Sequence, residues 1–164
     1  MTICLLASAF WIVTVALAQP AAPAYAEILK GTAAVTDGDS IEIQGQTVRL
    51  LDMDAPEPEQ LCRDADGADY RCGERAAAAL SNFLEQQPVT CDWAYLDRQG
   101  RHLGRCTAAG QDLGLWMVEQ GWAVPDRDCK CETYRAAAER AKTGKLGLWS
   151  GSFEMPWNWR AQTQ

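Results

Sequence analysis

The chain has 164 residues, seven cysteines and a formal net charge of −7. This length predicts a single domain with room for one modest core and little else. The acidic balance disfavours tight, non-specific binding to duplex nucleic acid, because proteins of that class usually carry a basic surface.

The first 26 residues predict a secretory signal peptide. The segment 5–18 is almost wholly apolar, and no charged residue precedes Glu27. Ala24-Tyr25-Ala26 has the small-x-small pattern of a signal-peptidase site, so we expect cleavage after Ala26. A membrane anchor is the less favoured alternative, because the apolar run is shorter than the ~20 residues of a spanning helix. We expect an exported, periplasmic or extracellular monomer with no stable membrane insertion after cleavage.

Three strands are predicted after the signal segment. Residues 27–35 are rich in small and apolar side chains, and residues 40–43 alternate with a period of two. Gln44-Gly45 then predicts a two-residue turn, and residues 47–51 form the returning strand. Such a turn pairs Ile41 with Val48 on one buried face.

A helix, a second hairpin and two more helices complete the predicted order. Apolar residues spaced by four, seven and eight positions predict a helix over 73–87 that is ended by Pro88. Residues 89–96 and 102–106 predict a hairpin. Asp112 is expected to cap a helix that runs through residue 119, and residues 132–142 predict the last helix.

Three strands, a helix and two strands is the order of an OB-fold. The predicted fold class is therefore β+α, a five-stranded OB-fold barrel with about three helices. The predicted division is a signal peptide over 1–26, the barrel domain over 27–150 and a tryptophan-rich tail over 151–164.

Cysteine usage agrees with export. Six cysteines follow the signal segment, and an even count in a small exported domain predicts disulfides, although six cysteines allow 15 connectivities. Cys62 and Cys72 flank a short acidic loop, whose closure would stabilise the fold by roughly 3 kcal/mol. Cys91 and Cys106 lie symmetrically about the second hairpin, which would set them opposite each other.

Three further features are given no functional role. Cys129 and Cys131 stay unassigned, because a single intervening residue is poor spacing for a mutual bond and weak for a metal. The acidic segment 64–69 lacks the spacing and closing glutamate of an EF-hand, which favours a solvated loop. His102 has no evident partner and is interpreted as a surface or barrel-wall residue.

A phosphodiester-cleaving site needs three kinds of group. It needs a hard cation on oxygen ligands, a base for the attacking water, and fixed positive donors where charge grows in the transition state. Asp39 and Asp54 could supply the ligands, and Glu57 could supply the base. The planar guanidinium groups of Arg49 and Arg101 suit phosphate oxygens.

Five segments of the chain share the spacing of one family's motifs. They are Asp37-Gly38-Asp39-Ser40, Arg49 with Asp54-Ala55-Pro56-Glu57, Asp97-Arg98-Gln99-Gly100-Arg101, Gly121-Trp122-Ala123 and Gly147-Leu148-Trp149. Together they resemble the staphylococcal nuclease (thermonuclease) family, and the resemblance covers nearly all of residues 28–150.

The resemblance implies a Ca²⁺-dependent nuclease that hydrolyses phosphodiester bonds of DNA, single-stranded DNA in particular, and of RNA, and that leaves 3′-phosphate products. The family's metal ligands correspond to Asp39, Asp54 and the main-chain carbonyl of Ala55. The family's catalytic side chains correspond to Arg49, Glu57 and Arg101, of which the glutamate activates or positions water and the arginines contact the scissile phosphate.

The chain departs from the family at two positions that contact the nucleotide. Gln99 stands where the family has a tyrosine, and Pro125 and Asp126 stand where a second tyrosine is expected. The alternative function is a non-catalytic OB-fold module that binds oligonucleotide or polysaccharide, linked to exopolysaccharide synthesis. Glu57 argues against that alternative, because binding alone has no use for a water-activating base.

Overall fold

The computed structural model describes residues 27–85 and 87–163. The predicted signal peptide, residues 1–26, lies outside the described residues. Within the described ranges, no helix combines the length and the apolarity needed to cross a membrane.

Six strands precede the first helix, and the remaining strands and helices follow in mixed order. In chain order the strands are β1 (Glu27–Val35), β2 (Ser40–Ile43), β3 (Gln46–Leu50), β4 (Met53–Asp54), β5 (Leu61–Arg63), β6 (Asp69–Arg71), β7 (Pro88–Leu96), β8 (His102–Ala108), β9 (Gln111–Asp112) and β10 (Val124–Pro125). The helices are α1 (Cys72–Leu84), α2 (Leu113–Glu119), α3 (Glu132–Thr143) and α4 (Pro156–Thr163), and a 3-10 turn spans Gly147–Ser150.

Five of the strands close into a barrel. The sheet order is β3-β2-β1-β7-β8, and a parallel pairing of β3 with β8 joins the two edges. The other neighbours in this ring are antiparallel. Closure leaves none of these five strands with a free edge, which is how an OB-fold avoids edge-to-edge association. The predicted five-stranded OB-fold barrel is confirmed.

The β2–β3 hairpin has the predicted turn and register. Gln44 and Gly45 both have positive φ, 53° and 78°, as a tight two-residue hairpin turn requires. Ile41 pairs with Val48, and neither side chain is exposed to solvent. Because side chains alternate across a strand, this register turns the opposite set of side chains away from the core.

The helices follow their apolar patterns, with one difference in length. The first, α1, buries Ala76, Leu80 and Leu84 as predicted. It ends at Leu84, three residues before the predicted end, because Glu85 adopts a left-handed conformation with φ of 34°. The fourth helix, α4, lies in the tail, where no element was predicted.

Two further helix predictions are confirmed. The Asp112 side chain accepts a hydrogen bond of 2.9 Å from the Leu115 amide and caps α2. The helix α3 buries one tyrosine and three alanines as predicted, namely Tyr134, Ala137, Ala138 and Ala141.

The structure pairs all six cysteines of residues 27–163. Cys91 lies opposite Cys106 in the β7–β8 hairpin, with an S–S distance of 2.01 Å. Cys62 and Cys72 are bonded beside the β5–β6 hairpin, within a segment that was expected to be loop. The third pair is Cys129 with Cys131, a contact that their spacing disfavoured.

Leu80 provides a test of the core. Its side chain is fully buried in α1. We expect Leu80→Ala to lower the free energy of unfolding by about 2–5 kcal/mol, because truncation leaves a cavity. Urea denaturation measures this loss, and Leu61→Ala, at a position that is 57% exposed, serves as the matched control. Equal losses in the two variants would contradict the assignment of this core.

Candidate active site

The predicted site residues converge on one cleft of about 450 Å³. Five of the six line its wall: Asp39, Arg49, Ala55, Glu57 and Arg101. The sixth, Asp54, is buried, with a side chain that is 1% exposed, and it bonds to arginines that line the cleft. Residues from distant parts of the chain thus meet around one volume.

The β2–β3 hairpin brings the carboxylate of Asp39 and the guanidinium of Arg49 together. Arg49 pairs with Ser40 in the strand register, so it lies beside Asp39, and the Leu50 amide donates to the Asp39 carbonyl at 2.8 Å. The Arg49 guanidinium contacts Asp39 Oδ2 at 2.7 Å and Asp54 Oδ1 at 2.8 Å. One arginine therefore joins both predicted metal-binding carboxylates.

Two glycines hold the 54–57 segment in place. A Cβ at Gly73, in the first turn of α1, would overlap the main-chain carbonyl of Glu57. A Cβ at Gly38 would lie 2.7 Å from the Cβ of Ala55. The absence of side chains at these two points lets the helix and the β2 loop approach the segment that carries Glu57.

Arg101 is oriented from its own loop. The Asp97 carboxylate accepts hydrogen bonds from the Arg101 amide at 2.9 Å and from its Nε at 2.7 Å. Burial raises the pKa of Asp97, but hydrogen bonds from Arg101 outweigh that effect and leave the pKa below its ordinary value. Asp97 is thus a stable anion that aims Arg101, whose Nη1 lies 3.4 Å from Ser40 Oγ.

The oxygen donors of the cleft fit a hard cation. Burial raises the pKa of the Asp39 carboxyl to about 7, and the nearby Arg49 offsets only part of the effect. Burial alone would lower the pKa of Arg49, but the carboxylates of Asp39 and Asp54 raise it above the ordinary value. Buried carboxylates of this kind are stabilised by positive charge, and oxygen ligands are those that Ca²⁺ prefers.

Sequence reasoning missed Arg160, which lies in α4 and lines the same cleft. Its guanidinium contacts Asp54 Oδ2 at 2.6 Å and Glu57 Oε1 at 2.7 Å. The one available signal was that Arg160 is the only cationic residue between 151 and 164. Hydrogen bonding to Asp54 raises the pKa of Arg160, so it is fully charged.

Other candidate groups lie elsewhere. The His102 ring lies 3.7 Å from that of Trp93, which agrees with a position on the barrel wall. Asp52, Cys129 and Cys131 form a second group of metal-ligand types, but Arg105 already pairs with Asp52 and the two sulfurs are bonded to each other. Gln99 lines the cleft that holds the predicted site residues.

The fold and this cleft agree with the comparison against known families. Residues 47–151 match the family described as "Staphylococcal nuclease homologue". The chain belongs to the staphylococcal nuclease homologue family. The sequence resemblance on which the site residues were chosen is therefore confirmed at the level of the family.

Three curated relatives are similar to most of this chain. The chain is 46% identical over 127 residues to "Succinoglycan biosynthesis protein ExoI" of Rhizobium meliloti, a match that spans 76% of this chain and 66% of that protein, just under two thirds of its length. It is 31% identical over 160 residues to "Protein ParB" of Escherichia coli, covering 87% and 85%. It is 28% identical over 135 residues to an "Uncharacterized endonuclease" of Haemophilus influenzae, covering 78% and 70%.

Gly73 tests the packing behind the cleft. We expect Gly73→Ala to destabilise the protein by about 1–3 kcal/mol, because the added methyl group must displace the Glu57 main chain. Thermal and urea unfolding measure the loss. Ser81→Ala, at an exposed position of the same helix, should change stability by less than about 0.5 kcal/mol. A Gly73→Ala protein as stable as the Ser81→Ala control would show that the contact is not close.

Proposed function

We propose that this protein is an exported, Ca²⁺-dependent phosphodiesterase that hydrolyses single-stranded DNA and RNA. The observation that carries the proposal is the meeting of Glu57 with Arg49 and Arg101 around one cleft that also holds buried carboxylates. A binding module needs arginines, but it has no use for a solvent-accessible carboxylate placed to activate water.

The glutamate is suited to the role of base. The Glu57 side chain is 31% exposed, so water can reach it, and Arg160 fixes one of its oxygens at 2.7 Å. In the proposed reaction Glu57 takes a proton from water as the water oxygen bonds to phosphorus. The bond from phosphorus to the 5′-oxygen breaks, and this leaving oxygen gains a proton from solvent, which yields a 3′-phosphate and a 5′-hydroxyl.

The two predicted arginines are suited to the developing charge. The Nε of Arg101 is held by Asp97, and the Arg101 side chain lines the cleft. Arg49 is held by Asp39 and Asp54, so its position is set before substrate arrives. Donors that are oriented in advance need little rearrangement in the transition state, where they bind the extra negative charge of the phosphorane.

Asp39, Asp54 and the Ala55 carbonyl would hold the calcium ion. When bound, Ca²⁺ supplies positive charge that neutralises a phosphate oxygen and fixes the substrate. A local dication also explains how a chain of net charge −7 could bind a polyanion, because the ion reverses the sign of the field at the site.

A role in polysaccharide synthesis is the second candidate. It is favoured by one observation, the 46% identity to a protein named for succinoglycan biosynthesis. The replacement of family tyrosines by Gln99, Pro125 and Asp126 leaves the nucleotide-binding surface open to a different ligand. In this candidate the same barrel binds an oligosaccharide and cleaves nothing.

Cleavage of single-stranded DNA by the mature protein tests the proposal. We expect cleavage with calcium, none with a chelator, and a rate at least about 10²-fold lower in Glu57→Gln, because the variant cannot accept the proton. Arg101→Gln should lose a similar factor through a missing donor. Fluorescently labelled oligonucleotides resolved by size give the rates.

Arg63→Gln is the matched charge control. Arg63 pairs with Asp69 at 3.2 Å, and its side chain is 66% exposed. Its rate should equal that of the unaltered protein. Stable binding of oligonucleotide or of succinoglycan fragments without cleavage, under calcium and other divalent cations alike, would replace the nuclease proposal with the binding module.

A further inference from the structure

The Arg160 guanidinium bridges two carboxylates that have different proposed roles. Its Nη2 donates to Asp54 Oδ2 at 2.6 Å, and its Nη1 donates to Asp54 Oδ1 at 3.0 Å and to Glu57 Oε1 at 2.7 Å. The planar fork of arginine makes such a double contact possible, whereas a lysine would offer only a point charge. Arg160 therefore links the proposed metal ligand to the proposed base.

The Asp54 carboxylate is close to saturated by arginine. Its Oδ1 accepts from both Arg49 and Arg160, and its Oδ2 accepts from Arg160. A carboxylate has about four acceptor positions, so three are taken. The side chain is 1% exposed, which leaves little access for water at the fourth. A cation that binds Asp54 through more than this one position must displace an arginine, and Arg160 makes two of the three contacts.

The tail is anchored so that Arg160 reaches the cleft. The fully buried Gln60 donates from Nε2 to the Glu154 carbonyl at 2.7 Å. Arg63 and Ser152 exchange two main-chain hydrogen bonds, of 2.9 and 3.0 Å. Pro156, at the start of α4, is buried. These contacts precede α4 in the chain and fix where the helix begins, so the position of Arg160 one turn later follows from the fold.

We propose that Arg160 is a positioning residue that sets the cation affinity of the cleft and holds Glu57. This inference rests on the proposed function and adds a third arginine to it. Arg160 acts as a tethered cation that competes with Ca²⁺ for Asp54. Its bond to Glu57 keeps the base oriented toward the volume where water and phosphate meet.

The two effects have opposite signs when Arg160 is lost. Without Arg160, the buried Asp54 keeps only Arg49, so the cleft becomes more negative and binds a dication more tightly. Glu57 loses its partner and moves among rotamers, so turnover falls even when calcium is saturating. A residue that merely supported the fold would weaken calcium binding and turnover together.

Arg160→Gln tests this pair of effects, with Arg140→Gln as the matched control. Arg140 carries the same charge and pairs with Glu119 at 3.2 Å, but its side chain is 63% exposed and lies outside the cleft. Isothermal titration measures Ca²⁺ affinity in the absence of substrate. Single-stranded DNA cleavage at saturating calcium measures kcat.

In Arg160→Gln we expect the Kd for Ca²⁺ to fall at least about fivefold, the size of a modest coupling between two sites. We expect kcat to fall roughly tenfold to a hundredfold, since a misplaced catalytic group costs up to about that factor. Arg140→Gln should match the unaltered protein in both measurements. An Arg160→Gln protein that is folded by circular dichroism and binds calcium equally or more weakly would overturn the inference.

Arg160→Lys covers the case in which the glutamine variant does not fold. The lysine keeps the charge but cannot bridge both carboxylates, so calcium should bind more tightly than in the unaltered protein, by a smaller factor. Unchanged or weaker binding overturns the inference here too.

The outcomes separate this inference from the nuclease proposal. Calcium-dependent cleavage with no change of Ca²⁺ affinity in Arg160→Gln would retain the nuclease and remove the role of Arg160. Calcium binding that appears only in Arg160→Gln, with no cleavage by any variant, would support the competition and remove the nuclease. If no variant binds calcium, both are wrong.

Discussion

The burial of two carboxylates, Asp39 and Asp54, is the constraint on which the site depends. Their exposed fractions are 4% and 1%, and burying an unpaired charge costs several kcal/mol. Arg49 contacts both, and the contact requires the β2–β3 register and the pairing of Asp54 with Val124 across β4 and β10. The two contacts of Arg49 therefore depend on the hairpin, on the segment after it and on the pairing of β4 with β10.

The burial of Asp39 and Asp54 also determines which groups must surround them in the cleft. Carboxylates held in a low-dielectric place attract cations more strongly than exposed ones do. Guanidinium groups from three parts of the chain line the cleft: Arg49 from β3, Arg101 from the β7–β8 hairpin and Arg160 from α4. The cleft of this acidic protein thus sets three guanidinium groups beside three carboxylates, those of Asp37, Asp39 and Glu57.

Family membership and local departures bear on different parts of the function. The barrel and the match over residues 47–151 place the chain in the staphylococcal nuclease homologue family. Gln99 lies in the cleft wall and Pro125 in the short strand β10, at positions where the resemblance to the family implies nucleotide-contacting tyrosines. The residues proposed for the reaction therefore differ from the residues that would set substrate preference.

Features that depend on neighbours in the chain were predictable from the sequence. The Gln44-Gly45 turn, the Asp112 cap and the Cys91–Cys106 pairing each follow from a few adjacent residues or from hairpin symmetry. The convergence of Asp39, Arg49, Glu57 and Arg101 on the cleft was predicted from motif spacing and family resemblance, since spacing alone cannot say which loops meet. Glu85 shows the limit of local rules, because its left-handed conformation ended α1 before the proline did.

Only the tertiary structure decided the place of Arg160. This residue and Asp54 are 106 positions apart, and no periodicity or motif in the tail links them. Their contact results from the anchoring of the tail by Gln60 and Ser152, which are themselves joined to distant partners. The chain by itself determined the barrel and the predicted acids and arginines of the site. The contact of a third arginine with two of those acids required the packed fold, because packing alone brings such remote segments together.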